Sequence, residues 1–172
     1  FVKIADDGEI LVKGENVMMG YWKNEEETNK VLKNGWLSTG DIGEFEGEFL
    51  KITDRKKDII ITPGGENISP IKIENYLNKS NLIEQSLVYG DNKPYLVCLI
   101  VLKPEHGKTN RERIQQEIEK INKNVSKIEK IKKFIIIKDQ FTIENEMMTP
   151  TLKLKRYKII KNYKLEIEKL FE

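Results

Sequence analysis

Apolar residues along this 172-residue chain fall into blocks of two periods. Short alternating runs at 1–4 and 9–13 flank Asp6-Asp7-Gly8. Asp-Gly supplies the positive φ angles of a tight turn, so two paired strands are predicted. Asn24 precedes Glu25-Glu26-Glu27, an N-cap before an acidic first turn. This predicts a short helix with Val31 and Leu32 facing inward and Asn34-Gly35 as its stop. Residues 36–45 and 48–53 read as a second hairpin around Gly47, with Phe45, Phe49 and Ile52 as apolar contacts. The first third is therefore mainly β.

The character changes at the charged stretch Asp54-Arg-Lys-Lys-Asp58, a candidate domain boundary, which Ile59-Ile-Ile61 and the loop Thr62-Pro-Gly-Gly-Glu-Asn67 follow. Ser69-Pro70 starts a helix with Ile73, Tyr76 and Leu77 on one face, and 78–81 ends it. Strands at 87–89 and 95–103 pair across Gly90-Asp-Asn-Lys-Pro94. The second is almost continuously apolar, as expected of a central strand covered on one side and packed at its ends. Ile114, Ile118, Ile121, Val125 and Ile128 recur at four- and three-residue steps, one stripe on a helix that Asn110 caps. Phe134-Ile-Ile-Ile137 lies in another strand. A last helix runs from about Arg156, with Ile160, Tyr163, Ile167 and Leu170 inward. The fold class is α+β: a small β-rich subdomain, then a compact domain with flanking helices and a central sheet of strands near 59–61, 86–90, 95–103 and 133–138. No internal repeat is present.

With 38% hydrophobic and 34% charged residues the chain is polar, yet the periodic blocks mark it as folded. Thirty Lys and Arg against 28 Asp and Glu leave +2, which gives no electrostatic reason for a nucleic-acid or anionic-membrane partner. The Lys-rich helices also lack interleaved aromatics, so no nucleic-acid partner is expected. Cys98 is the only cysteine and lies in an apolar run, which reads as a buried structural thiol and points to a reducing compartment. No apolar run approaches the roughly 20 residues of a membrane span. His106 has no Cys or His nearby, so no metal site is expected. The chain opens inside a strand-like stretch at Phe1 and is expected to be a piece of a longer protein.

Four places carry candidate chemistry. In Gly35-Trp-Leu-Ser-Thr-Gly-Asp41, the carboxylate after a glycine can accept two hydrogen bonds from a vicinal diol such as a ribose. A turn aspartate satisfying its own backbone is the alternative. In the 54–58 stretch, Arg55 offers a planar fork to sugar or phosphate oxygens. Lys57 lies where torsion changes would swing everything downstream; an exposed linker is the alternative. Gly64-Gly65 permits close approach of a ligand to the backbone, or is only a tight turn. In Thr149-Pro-Thr-Leu-Lys153-Leu-Lys-Arg156, Lys153 stands in a short loop before a helix. There it either serves as a surface lysine or carries positive charge to a reacting phosphate.

Read in order, four motifs resemble the adenylate-forming superfamily of acyl-CoA synthetases, luciferases and peptide-synthetase adenylation domains. They are Gly8-Glu-Ile-Leu-Val-Lys-Gly14 with Gly20-Tyr-Trp22, then Trp36-Leu-Ser-Thr-Gly-Asp41, then Asp54-Arg-Lys-Lys-Asp58 with Gly65-Glu-Asn-Ile-Ser-Pro70 and Ile73-Glu74, and finally Pro150-Thr-Leu-Lys-Leu-Lys-Arg156. The resemblance implies that residues 1–54 are a terminal β-barrel subdomain of a large amino-terminal domain, and 55–172 a mobile lid with its hinge near Lys57. It implies that Asp41 and Arg55 hold the ribose of ATP or AMP. Gly64, Gly65 and Glu66 would border the coenzyme A channel, and Lys153 would bridge carboxylate and α-phosphate. The phosphate loop, the acyl pocket and the magnesium ligand would belong to the missing amino-terminal domain, the partner of this chain, so the fragment alone is expected to be inactive.

Two departures point to long-chain fatty acids. The Pro63-Gly64-Gly65-Glu66-Asn67 loop carries an extra residue, and Leu152 replaces the usual glycine before the lysine, as in long-chain fatty acyl-CoA synthetases. Lys153 and Lys155 compete for the catalytic register, and superposing Lys-Leu-Lys-Arg on the family ending selects Lys153. The implied activity is a fatty acid:CoA ligase using ATP, coenzyme A and magnesium, cytoplasmic or peripheral on an intracellular membrane through regions outside this chain. The alternatives are a non-catalytic regulatory module that keeps the fold, and a relative that loads a carrier-protein thiol.

Overall fold

Local turn chemistry dominates the first 59 residues. In the computed structural model, which describes residues 1–106 and 111–172, strands β1 (Val2–Ile4) and β2 (Glu9–Val12) pair antiparallel, with Ile4 opposite Ile10. Gly8 turns the chain at φ +86, and the Asp7 carboxylate accepts the Glu9 N–H. Helix α1 (Glu25–Val31) starts as expected, Asn24 accepting the Glu27 N–H at 3.1 Å. Its expected stop is different. Asn34 and Gly35, at φ +53 and +77, form the two-residue turn joining β3 (Leu32–Lys33) to β4 (Trp36–Glu46). Two successive positive φ angles match the right-handed strand twist, so Asn-Gly makes a hairpin here instead of ending a helix. Val31 and Leu32 are only half-buried.

β4 also pairs with β5 (Phe49–Arg55) around Gly47, giving an antiparallel sheet in the order β1-β2-β4-β3 with β5 on β4. The expected apolar contacts of this hairpin are exposed: Phe45 at 50%, Phe49 at 80% and Ile52 at 63%. The register gives the reason, because β2 reaches β4 only from Leu37 to Ile42, so the hairpin tip has no strand behind it. Among the described residues β1 and β5 each pair on one side only, and the sheet is open within this chain.

The chain divides into two compact units, Phe1–Ile59 and Ile60–Glu172. In the second, β6 (Ile60–Ile61) pairs only with β7 (Asn67–Ile68), so the strand expected near 59–61 is not part of the central sheet. The intervening loop, with Gly65 at φ +81, folds it straight back. Helix α2 (Pro70–Leu77) is capped by Ser69, whose hydroxyl accepts the Lys72 N–H, and buries Ile73 and Leu77.

Among the described residues the central sheet has three strands: β8 (Ile83–Tyr89), β9 (Leu96–Leu102) in the middle, and β10 (Ile131–Ile137); β8 is antiparallel and β10 parallel to β9. All seven residues of β9 are buried. Leu96, Cys98, Ile100 and Leu102 face a core with Ile73 and Leu77 of α2 and with Ile114, Ile118 and Ile121 of helix α3 (Arg111–Asn122). Val97, Leu99 and Val101 face a second core with Phe141, Ile159 and Ile167. The strand is thus covered on both faces, not one. Burial pushes the Cys98 thiol well up, leaving it inert.

The α3 stripe ends sooner than its period suggests. The Asn122 amide accepts the Ile131 N–H and donates to the Ile131 carbonyl, both at 2.9 Å, which ends the helix against β10 and leaves Ile128 40% exposed. The Asn110 cap lies outside the described residues. The final helix is two, α4 (Arg156–Asn162) and α5 (Lys164–Lys169), broken at Tyr163; Ile159 and Ile167 are its most buried residues. No helix among the described residues is long and apolar enough to cross a membrane. Leu99, fully buried at the centre of β9, tests this packing: Leu99→Ala is expected to lower the unfolding free energy by about 2–5 kcal/mol in urea denaturation, and a loss under about 1 kcal/mol contradicts it.

Candidate functional site

Asp41 and Arg55 are cross-strand partners in β4 and β5, and they form an ion pair with Arg55 Nε 2.8 Å from Asp41 Oδ1. Gly40, at φ +72, presents the aspartate at the surface while its N–H donates to the Glu9 carboxylate. The Thr39 hydroxyl donates to the Ile10 carbonyl and accepts the Asp41 N–H. The second Asp41 oxygen carries no hydrogen bond among the described residues, so the pair can accept and donate to one small polar ligand together.

Lys56 and Lys57 follow in a 3₁₀ turn, Lys56–Asp58. Lys56 ties the turn back to the first hairpin, its ammonium 2.6 Å from Asp7 and 2.8 Å from Glu9, which holds the Asp7 carboxyl below its usual range. Lys57 is exposed and has no ion pair among the described residues. Tether and untethered lysine thus stand side by side at the end of the first unit.

The Gly64, Gly65 and Glu66 loop is closed on itself. Thr62 N–H donates to the Glu66 carbonyl, Glu66 N–H to the Thr62 hydroxyl, and that hydroxyl to the Glu66 carboxylate. Ile61 is gripped from outside, its N–H by the Asp91 carboxylate at 3.0 Å and its carbonyl by the Asn92 N–H at 2.8 Å. A side chain at Gly65 would meet nothing within 4 Å, so the loop borders open space. Gly64 and Glu66, on either side of Gly65, line a groove of about 560 Å³ whose walls also carry Lys93, Lys127, Lys130 and Lys132. Buried Glu129 fixes the far wall, accepting from Lys72 at 2.6 Å and from the Ser126 N–H at 2.8 Å.

Lys153 occupies a tight hairpin. Thr149 N–H donates to the Lys153 carbonyl, Lys153 N–H to the Thr149 hydroxyl, and Lys155 N–H to the Met147 carbonyl. Leu152, where the resemblance expects glycine, takes the left-handed conformation at φ +60. The Lys153 ammonium is exposed and has no ion pair among the described residues. Three residues on, Arg156 is fixed firmly. Its Nη1 donates to Glu74 Oε1 and its Nη2 to the Val88 carbonyl, both at 2.6 Å, while the Val88 N–H donates to the same Glu74 oxygen at 2.7 Å.

Residues 57–172 match the model of the AMP-binding enzyme C-terminal domain. The chain belongs to that family. Across 99% of its length this family member is 36% identical to the long-chain-fatty-acid–CoA ligase FadD15 of Mycobacterium tuberculosis, covering 32% of that relative. It is 35% identical to long-chain-fatty-acid–CoA ligase 5 of Mus musculus over 100% of this chain and 29% of the other. The chain therefore spans about a third of the length of the curated relatives it matches. Among solved structures, the A domain of a carboxylic acid reductase from Segniliparus rugosus, in complex with AMP and a co-purified carboxylic acid, superposes with a TM-score of 0.86 at 29% identity, over 95% of this chain and 28% of that one.

Two features of this AMP-binding C-terminal domain escape a reading of the sequence. Lysines of the groove come from two separated segments, Lys93 and 127–132, and the net charge of the whole chain hides them. Residues 1–59 hold 9 Lys and Arg against 13 Asp and Glu, a net −4, whereas 60–172 hold 21 against 15, a net +6. Counting by unit would have shown the basic half. The Glu74–Arg156 pair joins residues 82 apart; its one local signal is an acidic residue inside the buried face Pro70, Ile73, Glu74, Leu77. His106 closes a short turn onto the Lys103 carbonyl, and no cluster among the described residues suits a metal ion.

Glu129 gives the groove wall a pH signature. Burial pushes its carboxyl up, but the Lys72 ammonium and the Ser126 N–H outweigh it and hold the group below its ordinary 4.5. A carboxylate depressed on folding contributes stability in full above its unfolded pKa and loses it as pH falls through the folded value. Glu129→Gln is therefore expected to be less stable than wild type at neutral pH, with the gap in urea unfolding closing as pH drops below about 4.5. A gap independent of pH contradicts the assignment.

Proposed function

We propose that this chain is the carboxy-terminal part of a long-chain fatty acid:CoA ligase that makes an acyl-adenylate and then a thioester. The observation that carries this reading is the likeness of the chain, over 99% of its length, to a long-chain-fatty-acid–CoA ligase. The site supports it at each step.

In the first step a fatty carboxylate oxygen attacks the α-phosphorus of ATP. An O–P bond forms, the bond to the β-phosphate oxygen breaks, and pyrophosphate leaves. Asp41 accepts from the ribose hydroxyls through its open oxygen, and Arg55 donates beside it. Lys153, exposed on a rigid hairpin and unpaired among the described residues, brings a full positive charge to the oxygens that gain negative charge in the transition state. Magnesium belongs on this reading to residues outside the chain.

In the second step the thiolate of coenzyme A attacks the acyl carbonyl carbon, the C–S bond forms, and AMP leaves with the C–O electron pair. The pantetheine arm passes the Gly64-Gly65-Glu66 loop. The phosphates of the nucleotide end lie among Lys127, Lys130 and Lys132 in the basic unit. A carrier-protein thiol brings no such polyphosphorylated end, so the lysine groove favours coenzyme A over carrier loading. Rotation about Lys57 exchanges the two loops at one active site.

The test uses the full-length protein and separates the half-reactions. Lys153→Ala is expected to cut fatty-acid-dependent pyrophosphate release by about 10²–10³-fold while thioester formation from supplied acyl-adenylate and coenzyme A persists. Equal loss of both steps, or none, contradicts the role given to Lys153.

A further inference from the structure

β8 is an edge strand of the central sheet among the described residues, and its free side presents the N–H and carbonyl of Val88, the residue opposite Cys98. Glu74 and Arg156 satisfy both groups, as a further strand would, and bond each other at 2.6 Å with about a tenth of each side chain exposed. The three-way junction fixes α2, β8 and the first residue of α4 to one point. Helix α2 follows directly from the β6–β7 hairpin that carries Gly64, Gly65 and Glu66. Arg156 lies one residue beyond the base of the Lys153 hairpin, where Lys155 bonds Met147.

We infer that the Glu74–Arg156 pair is a positioning element for Lys153, a reading that rests on the proposed function above. The guanidinium touches no reacting atom; it sets where the hairpin stands relative to the sheet. The two loops depend on it unequally. The glycine loop has its own anchor through Asp91 and Asn92 onto Ile61, so loosening the junction leaves it in place. The Lys153 hairpin is held by its internal bonds in shape, and by Arg156 in direction. Its other ties are the Met148 N–H bond to the Thr142 carbonyl at 2.9 Å, a long contact of 3.5 Å from the Gln85 amide to the Met148 sulfur, and the packing of Met147, Met148 and Leu154 on the second core, which is not directional.

A displacement of about 1 Å in a catalytic group costs about 10²-fold in rate. Glu74→Gln keeps the shape and one acceptor but removes the charge. Arg156→Lys keeps the charge but removes the fork that reaches Glu74 and Val88 together. In the full-length protein, both are expected to lower kcat for adenylate formation by about 10- to 100-fold with KM for ATP unchanged, since Asp41 and Arg55 stand elsewhere. The thioester step from supplied acyl-adenylate is expected to stay within about twofold of wild type. Glu74→Asp, retaining the charge, restores more adenylation than Glu74→Gln.

Equal loss in both half-reactions overturns the inference, because a merely structural pair would weaken the whole unit. So does adenylation at the wild-type rate. A wild-type protein that forms adenylate and depends on Lys153 while ignoring Glu74 leaves the proposed function standing and removes only this role. A wild-type protein that forms no adenylate removes both.

Discussion

A charged pair with almost no water around it organises the second unit. Glu74 and Arg156 bond each other and the two backbone groups of Val88, and no buried side-chain polar atom among the described residues lacks a partner. Such a pair gives little net stability compared with apolar residues of the same shape. Losing one partner, however, strands the other charge and costs about 3–5 kcal/mol. What it supplies is definition: the two charges and an edge-strand backbone have one arrangement that satisfies them all.

That definition matters because β9 divides the unit into two cores. α2 and α3 cover one face, while α4, α5 and Phe141 cover the other. The hydrophobic effect is not directional and does not by itself single out one arrangement of the two layers. The junction at Val88 ties a helix of the first layer to a helix of the second around the sheet edge. The glycine loop leads into the first helix and the Lys153 hairpin into the second. The two candidate loops are thereby built into one compact unit.

Elements with strong local signals were legible in the sequence. The caps Asn24 and Ser69, the Gly8 turn and the strands around Phe134 and Leu99 all depend on neighbours in the chain. Misreadings arose where a signal has two physical uses. Asn34-Gly35 can stop a helix or turn a hairpin, and an unbroken apolar run can mean one covered face with buried ends or two covered faces. Phe45, Phe49 and Ile52 look like core residues because alternation shows which face a side chain takes, not whether anything lies against it. In the candidate site, Asp41, Arg55 and Lys153 were each picked out by a local motif. Partnerships at a distance were not visible: the Asp41–Arg55 ion pair needs the β4–β5 register, and Glu74–Arg156 needs the whole fold.

The central claim is that one rigid unit serves two chemical steps in turn, and it can be tested by distance alone. Nitroxides at Glu48→Cys and Lys123→Cys, both exposed, place one label in each unit of the full-length protein, while buried Cys98 does not react. Pulsed electron resonance would compare the protein holding ATP and fatty acid with the protein holding an acyl-adenylate analogue and coenzyme A. Rotation about Lys57 predicts two distinct distances, one for each set of ligands. A single distance, unchanged between the two, contradicts the account.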